Sequence, residues 1–178
     1  MNAPKDSASI AYGVLDTVEG HPRLSFELSL PFPITRIWQA VSTPEELAQF
    51  FPGAAPWTPF TGEELDLGGM RMKVIEVTEP TYLAWNFAGS LQSFELSEQG
   101  HGNSILIFRH VLGDEPIAQT ATGWHCYLSR LEPFLNGTPL EEMQAHRNWA
   151  HLHEQYASKF GVDPQPGRDW AKQYLPFL

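Results

Sequence analysis

Seven histidines, one cysteine and a surplus of aromatic rings are the residues of this 178-residue chain best suited to bind or transform something. Three of the histidines, His146, His151 and His153, lie close together near the C-terminal end. Zinc-binding helices set imidazoles at a spacing that keeps them on one face, whereas His151 and His153 point about 160° apart around a helix. His146 and His153 share a face with Trp149, and surface histidines on a solvated helix are the expected reading. His125 and Glu132 are seven residues apart, on the flank of an apolar helical stripe. A buried imidazole beside a carboxylate is the arrangement of a general base, and a solvent-facing flank pair is the plainer alternative. His110 has the strand parity of Leu106 and Phe108, which makes it a candidate polar group on an apolar face, with a satisfied histidine at a strand end as the equal alternative. Cys126 stands alone, which excludes an internal disulfide and a thiolate metal cluster. No His or Asp is placed near it by local spacing, so it reads as a structural thiol. The pairs Gly68-Gly69 and Gly100-x-Gly102 are hairpin turns without a following helix start, and so are not phosphate cradles. No catalytic set, metal ion or cofactor is expected.

The rings are the stronger signal. Aromatic residues make up 12% of the chain, with six Trp and eleven Phe, so the core or a pocket is rich in rings. An apolar cavity with a few polar groups describes a small-molecule site, and methionine adapts to varied ligand shapes. The expected walls are Met70, Met72, Trp85, Phe87, Phe94, Phe108, Trp124 and Leu128. His110 and His125 are the polar groups, and Phe50, Phe51 and Trp57 gate the opening. Core packing accounts for part of this set.

The elements that must position these residues follow from periodicity. Leu24, Phe26, Leu28 and Leu30 alternate with polar residues, the pattern of a half-buried strand, after a shorter run at 14–18. Ile34, Ile37, Trp38 and Val41 have helical spacing. A second helix starts at Pro44 with Thr43 as N-cap and Glu46 completing a capping box, and runs to about Phe50 or Phe51. Strands follow at 63–67, 70–77, 82–87, 91–96 and 104–112, separated by short turn sequences, which predicts an antiparallel meander. Trp124, Leu128, Leu131 and Leu135 then step by four, three and four, predicting one helix over 117–135 that ends at Asn136-Gly137. A further helix is predicted over 141–160, with Trp149, Leu152, Tyr156 and Phe160 as its apolar stripe and Gly161 closing it. That stripe should cover an apolar surface, either on its own domain or on a second copy of the chain as a homodimer. The first ten residues are expected to fray, and the tail from Val162, with Trp170, Tyr174 and Phe177, is expected to lie against the domain.

Composition bounds the reading. The length suits one domain, with 42% apolar and 18% charged residues. The formal charge is −10 and the eleven basic residues are scattered, which disfavours nucleic acid and anionic membranes as partners. There is no apolar run of signal-peptide or membrane-span length, so the expected location is cytoplasmic.

The order strand, two short helices, strand meander, long helix resembles the START-like helix-grip (SRPBCC) superfamily, and within it the bacterial relatives of the Hsp90 ATPase activator C-terminal domain. One anchor is Pro33-Ile34-Thr35-Arg36-Ile37-Trp38-Gln39-Ala40-Val41 followed by Thr43-Pro44-Glu45-Glu46-Leu47-Ala48-Gln49-Phe50-Phe51, with Phe50 where the family often has Trp. The other is Gly123-Trp124-His125-Cys126-Tyr127-Leu128-Ser129-Arg130-Leu131. The resemblance spans roughly residues 14 to 137. It implies an α+β helix-grip fold, a curved antiparallel sheet wrapped on the long helix with a cavity between them. Residues 1–137 would form the core, and 138–178 an appended helix and tail on the same domain. It implies no shared catalytic motif, because fold does not supply one. Three functions then compete: binding of an apolar or aromatic small molecule, a chaperone-associated interaction module, and a cavity enzyme using His110 or His125 as acid or base. The first needs only the cavity and is the expectation.

Overall fold

In a computed structural model, which describes residues 10–52 and 56–175, seven strands form one antiparallel sheet in the order β1-β2-β7-β6-β5-β4-β3. The strands are β1 Val14–Val18, β2 His21–Leu30, β3 Glu64–Leu67, β4 Met70–Thr78, β5 Tyr82–Phe87, β6 Ser90–Gly100 and β7 Asn103–Val111. The helices are α1 Ile34–Ser42, α2 Pro44–Leu47, α3 Ile117–Leu128, α4 Leu131–Leu135, α5 Glu142–Ala145, α6 Trp149–Phe160 and α7 Gln165–Tyr174. This is a mixed α+β chain with the element order of a helix-grip protein. Among the described residues, no helix is long and apolar enough to cross a membrane. The described residues divide into two compact units, 11–113 and 114–175 with Ile10; the fraying expected of the first residues falls on 1–9, outside the described residues.

In the first unit the hairpins set the register. Glu19-Gly20, Gly68-Gly69, Ala88-Gly89 and His101-Gly102 each join two strands through two residues of positive φ, the turn whose twist matches that of paired strands. Glycine fills the second position in all four. With register fixed, the pleat sorts side chains. Leu24, Phe26, Leu28 and Leu30 of β2, Leu106 and Phe108 of β7, Phe94 and Leu96 of β6, and Leu83 and Trp85 of β5 are all buried. Phe26, Phe108, Phe94 and Leu83 lie in one cross-strand row.

Thr43 precedes α2, but the predicted capping box does not form. The Thr43 hydroxyl donates to Gln39 O at 2.8 Å, and the Glu46 carboxylate accepts from Arg36 and Gln39 at 2.6 Å each. A charged donor on α1 outcompetes the backbone amide for Glu46. The helix ends at Leu47, after which turns lead into Phe50 and Phe51.

In the second unit the single helix predicted over 117–135 is divided. Pro133 has no N–H to donate to the Ser129 carbonyl, and its ring clashes there. The chain tightens instead: Arg130 N donates to Tyr127 O at 3.1 Å and the Ser129 hydroxyl to Cys126 O at 2.7 Å. The helix predicted over 141–160 is also split, at 146–148, where the His146 ring turns back to Glu142 O at 2.8 Å. Gly161, at φ 66°, closes α6 as the sequence predicts. The tail was not predicted as helix, yet Pro164 and Pro166 stand at its start, where proline costs no helical hydrogen bond, and 165–174 form α7. There Trp170 lies against Trp149 at 5.3 Å, Tyr174 is exposed, and Phe177 lies outside the described residues.

Phe94 contacts the rings of Phe51, Trp85 and Phe108 and is fully buried. Phe94→Ala is therefore expected to lower unfolding free energy by about 3–5 kcal/mol. A urea midpoint unchanged from that of the parent protein would contradict this packing.

Candidate functional site

Two groups of residues combine burial with chemistry, one in each unit. The first lies on the apolar face of the sheet. Register places Leu24, His110, Gln92, Trp85 and Val74 in one row across β2, β7, β6, β5 and β4. All five are buried, including the imidazole and, at 6% exposure, the amide. Ser90 has the same parity as Gln92 and is buried as well. Beside this polar row stand the rings. Phe51 meets Trp85, Phe94 and Phe108 edge-on at 5.6–6.0 Å between centroids. Trp57 meets Trp85 at 5.5 Å and 83°. Such T-shaped contacts set the positive edge of one ring against the negative face of the next.

Some polar atoms in this face are unsatisfied. Trp57, 1% exposed, buries its Nε1 donor without a partner, and Glu63 Oε2 is buried in the same state. The other Glu63 oxygen accepts from Thr58 N at 3.1 Å. Among the described residues, no hydrogen bond engages the Gln92 amide. Leaving a buried polar group unmatched costs about 1–3 kcal/mol.

Several residues expected to line a site are placed differently from the expectation. Phe50, Phe51 and Trp57, expected at an opening, are buried: the turn after α2 carries Phe50 and Phe51 into the ring cluster, and Trp57 lies against Trp85. Met72 is buried, whereas Met70, 48% exposed, sits at the β3–β4 turn where the sheet ends. Phe87 is half-buried beside the next turn. Trp124 and Leu128 are buried and belong to the other unit. Gln92 and Ser90 were missed, although both occupy positions where the parity of Phe94 and Leu96 calls for apolar residues.

The second group is in the helical unit. His125 does not face solvent beside Glu132, which lies beyond the break at Ser129. It is buried, with Nδ1 2.8 Å from the hydroxyl of the fully buried Tyr156, where α3 packs on α6. Burial pushes its pKa down to about 4. A neutral imidazole can accept the tyrosine proton, but it is a weak base at neutral pH, which argues against general-base work. Burial also pushes the neighbouring Cys126 thiol up to about 12, leaving it unreactive. His146 and His153 are buried, contrary to the surface placement expected, while His151 is exposed. The spacing held the signal: His153 lies four residues after Trp149 and three before Tyr156, on the apolar stripe itself. Trp149 and Tyr156 are buried, and Leu152 and Phe160 half-buried.

Comparison with known proteins agrees with the fold. The family described as Activator of Hsp90 ATPase homolog 1-like protein matches residues 31–136, more than half of the chain. Among curated proteins, none matches in sequence. Among solved structures, EF2215 from Enterococcus faecalis, a conserved protein of unknown function, is 18% identical over 84% of this chain and 90% of that one, with a TM-score of 0.65. CalU16 from Micromonospora echinospora is 21% identical, covering 81% and 92%, with a TM-score of 0.64. DynU16, from the dynemicin biosynthetic locus, is 25% identical, covering 66% of this chain and 48% of that one, at 0.54.

Two outcomes follow from the buried His125 and Cys126. Unfolded His125 takes a proton near pH 6.5, and the folded form only near pH 4. The unfolded chain binds more protons between these values, so stability present above pH 6.5 is lost as the pH falls through that window, by up to about 3 kcal/mol. His125→Gln should flatten that part of a melting-temperature profile against pH, and an unaltered slope would contradict it. The Cys126 thiol should resist iodoacetamide at pH 8 in the native protein and react on unfolding in urea; labelling of the folded protein, read by mass spectrometry, would contradict its burial.

Proposed function

The chain belongs to the family of Activator of Hsp90 ATPase homolog 1-like proteins through residues 31–136, and from that premise we propose that it binds a ring-bearing small molecule against the polar-aromatic face of its sheet. The observation that carries this reading is the Trp57 Nε1 donor, buried among rings with no acceptor, together with the unengaged Gln92 amide in the row of Trp85 and His110. Apolar walls with a few polar groups are the composition of a ligand site. A ligand that supplies an acceptor to Trp57 removes the cost of leaving that buried donor unmatched, and Gln92 offers the ligand a donor and an acceptor. Trp124 and Leu128 belong to the second unit, and the reading of the sheet face does not draw on them. No covalent step is assigned, since the row Leu24, His110, Gln92, Trp85 and Val74 holds no carboxylate and the His125 imidazole is held by Tyr156.

The biosynthetic locus from which DynU16 comes favours a small-molecule role over a purely structural one. The family description keeps a second reading alive, that of an interaction module for an Hsp90-type chaperone.

Native mass spectrometry of the protein recovered from cell extract tests the proposal. A small-molecule adduct is expected on the parent protein. It should be lost, with the circular dichroism unchanged, in Gln92→Leu. An adduct-free parent protein, or an adduct retained by the variant, would overturn the site.

A further inference from the structure

We infer that the groove between α1, the 58–59 segment and the end of β4 is a separate binding site, for a hydroxylated amine. It lies wholly in the sheet-bearing unit, and none of Trp57, Trp85, Gln92 or His110 lines it, so it does not rest on the sheet-face reading. Its volume is ≈ 480 Å³, within the range of small-molecule sites. The walls are fixed by the backbone. Trp38 and Ser42 are four residues apart and share a face of α1. Segment 58–63 is pinned to β4: Gly62 N donates to Val74 O and Val74 N to Glu63 O, both at 2.8 Å, and Glu63 Oε1 accepts from Thr58 N at 3.1 Å.

The central feature is Trp38. It is 7% exposed, and its indole Nε1 makes no hydrogen bond among the described residues. Unlike Trp57 Nε1, it is not sealed from solvent, so the part of the ring left open carries the N–H, and Trp38 lines this groove. A donor held by a buried ring at the wall of a groove is a fixed polar group available to a ligand. The Thr58 hydroxyl, on the opposite wall, makes no hydrogen bond among the described residues and can donate or accept.

The remaining lone pairs select the ligand class. The Ser42 hydroxyl donates to Trp38 O at 2.7 Å and that of Thr43 to Gln39 O at 2.8 Å. Each hydroxyl hydrogen is thereby committed, and only oxygen lone pairs are left for a ligand. Glu79 is exposed, makes no ion pair among the described residues, and as a carboxylate only accepts. No Lys, Arg or His lines the groove. The carboxylate and the two hydroxyl oxygens therefore outnumber the indole donor. The complementary molecule is a cation rich in donors that also carries an acceptor. Its ammonium pairs with Glu79, one hydroxyl oxygen accepts from Trp38 Nε1, and hydroxyl hydrogens go to Ser42 and Thr43.

The test uses glucosamine and its neutral analogue glucose on the isotope-labelled full chain, at about pH 6, where such an amine carries its charge. The Trp38 Nε1–H and the Thr58 backbone amide are followed by NMR. Glucosamine should shift both resonances saturably and bind about three- to fivefold more tightly than glucose, the value of one exposed ion pair. Glu79→Gln, at an exposed position, should lower glucosamine affinity to that of glucose. Trp38→Phe, which keeps a buried ring but removes the donor, should weaken both sugars, read at Thr58. Equal binding of the two sugars, unchanged affinity in either variant, or no saturable shift at Trp38 and Thr58 would overturn the inference. Shifts at Trp57 and Gln92 without shifts at Trp38 would also overturn it, while leaving the sheet-face proposal standing.

Discussion

The edge-to-face contact of Phe51 with Trp85, Phe94 and Phe108 is the interaction on which the sheet-bearing unit depends. Three strands that share a register each contribute one ring to it. The short α2 then delivers the fourth ring from outside the sheet. The contact requires the pleat to be in phase across β5, β6 and β7, because a slip of one residue would turn every one of those rings to the opposite face. The two-residue hairpins at Ala88-Gly89 and His101-Gly102 hold that phase. The same phase places Gln92 and His110 side by side among apolar neighbours, so the packing constraint and the candidate site have one cause. A protein built only for stability would carry apolar residues at those two positions, since buried amides and imidazoles add cost unless matched.

The helical unit is organised by a different constraint, the burial of histidines. His125 is fixed by Tyr156, and His153 by Trp149 and Gly167. His125 has its hydrogen bond within the protein and serves the α3–α6 contact. His153 is held by packing, with Glu154 Oε1 3.9 Å from its Nδ1.

Much of this was legible in the sequence where period and turn chemistry agree. The alternation from Leu24 to Leu30, the Gly68-Gly69 turn and the stripe through Trp124 and Leu128 each specify an element because pattern and punctuation coincide. The failures have physical causes. Periodicity reads Leu131 and Leu135 as continuing the stripe, yet Pro133 between them breaks the backbone without altering the apolar pattern. The capping box at Thr43 and Glu46 is a local signature, and it lost to Arg36, ten residues before Glu46, which no local rule weighs. Gln92 escaped notice because a polar residue in a strand is ordinarily assigned to the wet face. Histidines are ambiguous for a similar reason: their polarity suggests solvent, while His153 sits at a spacing that demands burial. Site residues are thus the ones that violate the pattern of the element carrying them, and a single sequence shows such violations only after the elements are placed.

A ligand on the sheet face would match the polar atoms that the fold leaves unsatisfied there. The most direct measurement is the NMR response of the Trp57 Nε1–H and Gln92 side-chain amide resonances to the small-molecule fraction of the cell extract. Both should shift together, and the Trp57 proton should become protected from solvent exchange when the fraction is added. Resonances that stay fixed at saturating fraction would contradict a ligand on that face, as would shifts confined to Trp38 and Thr58.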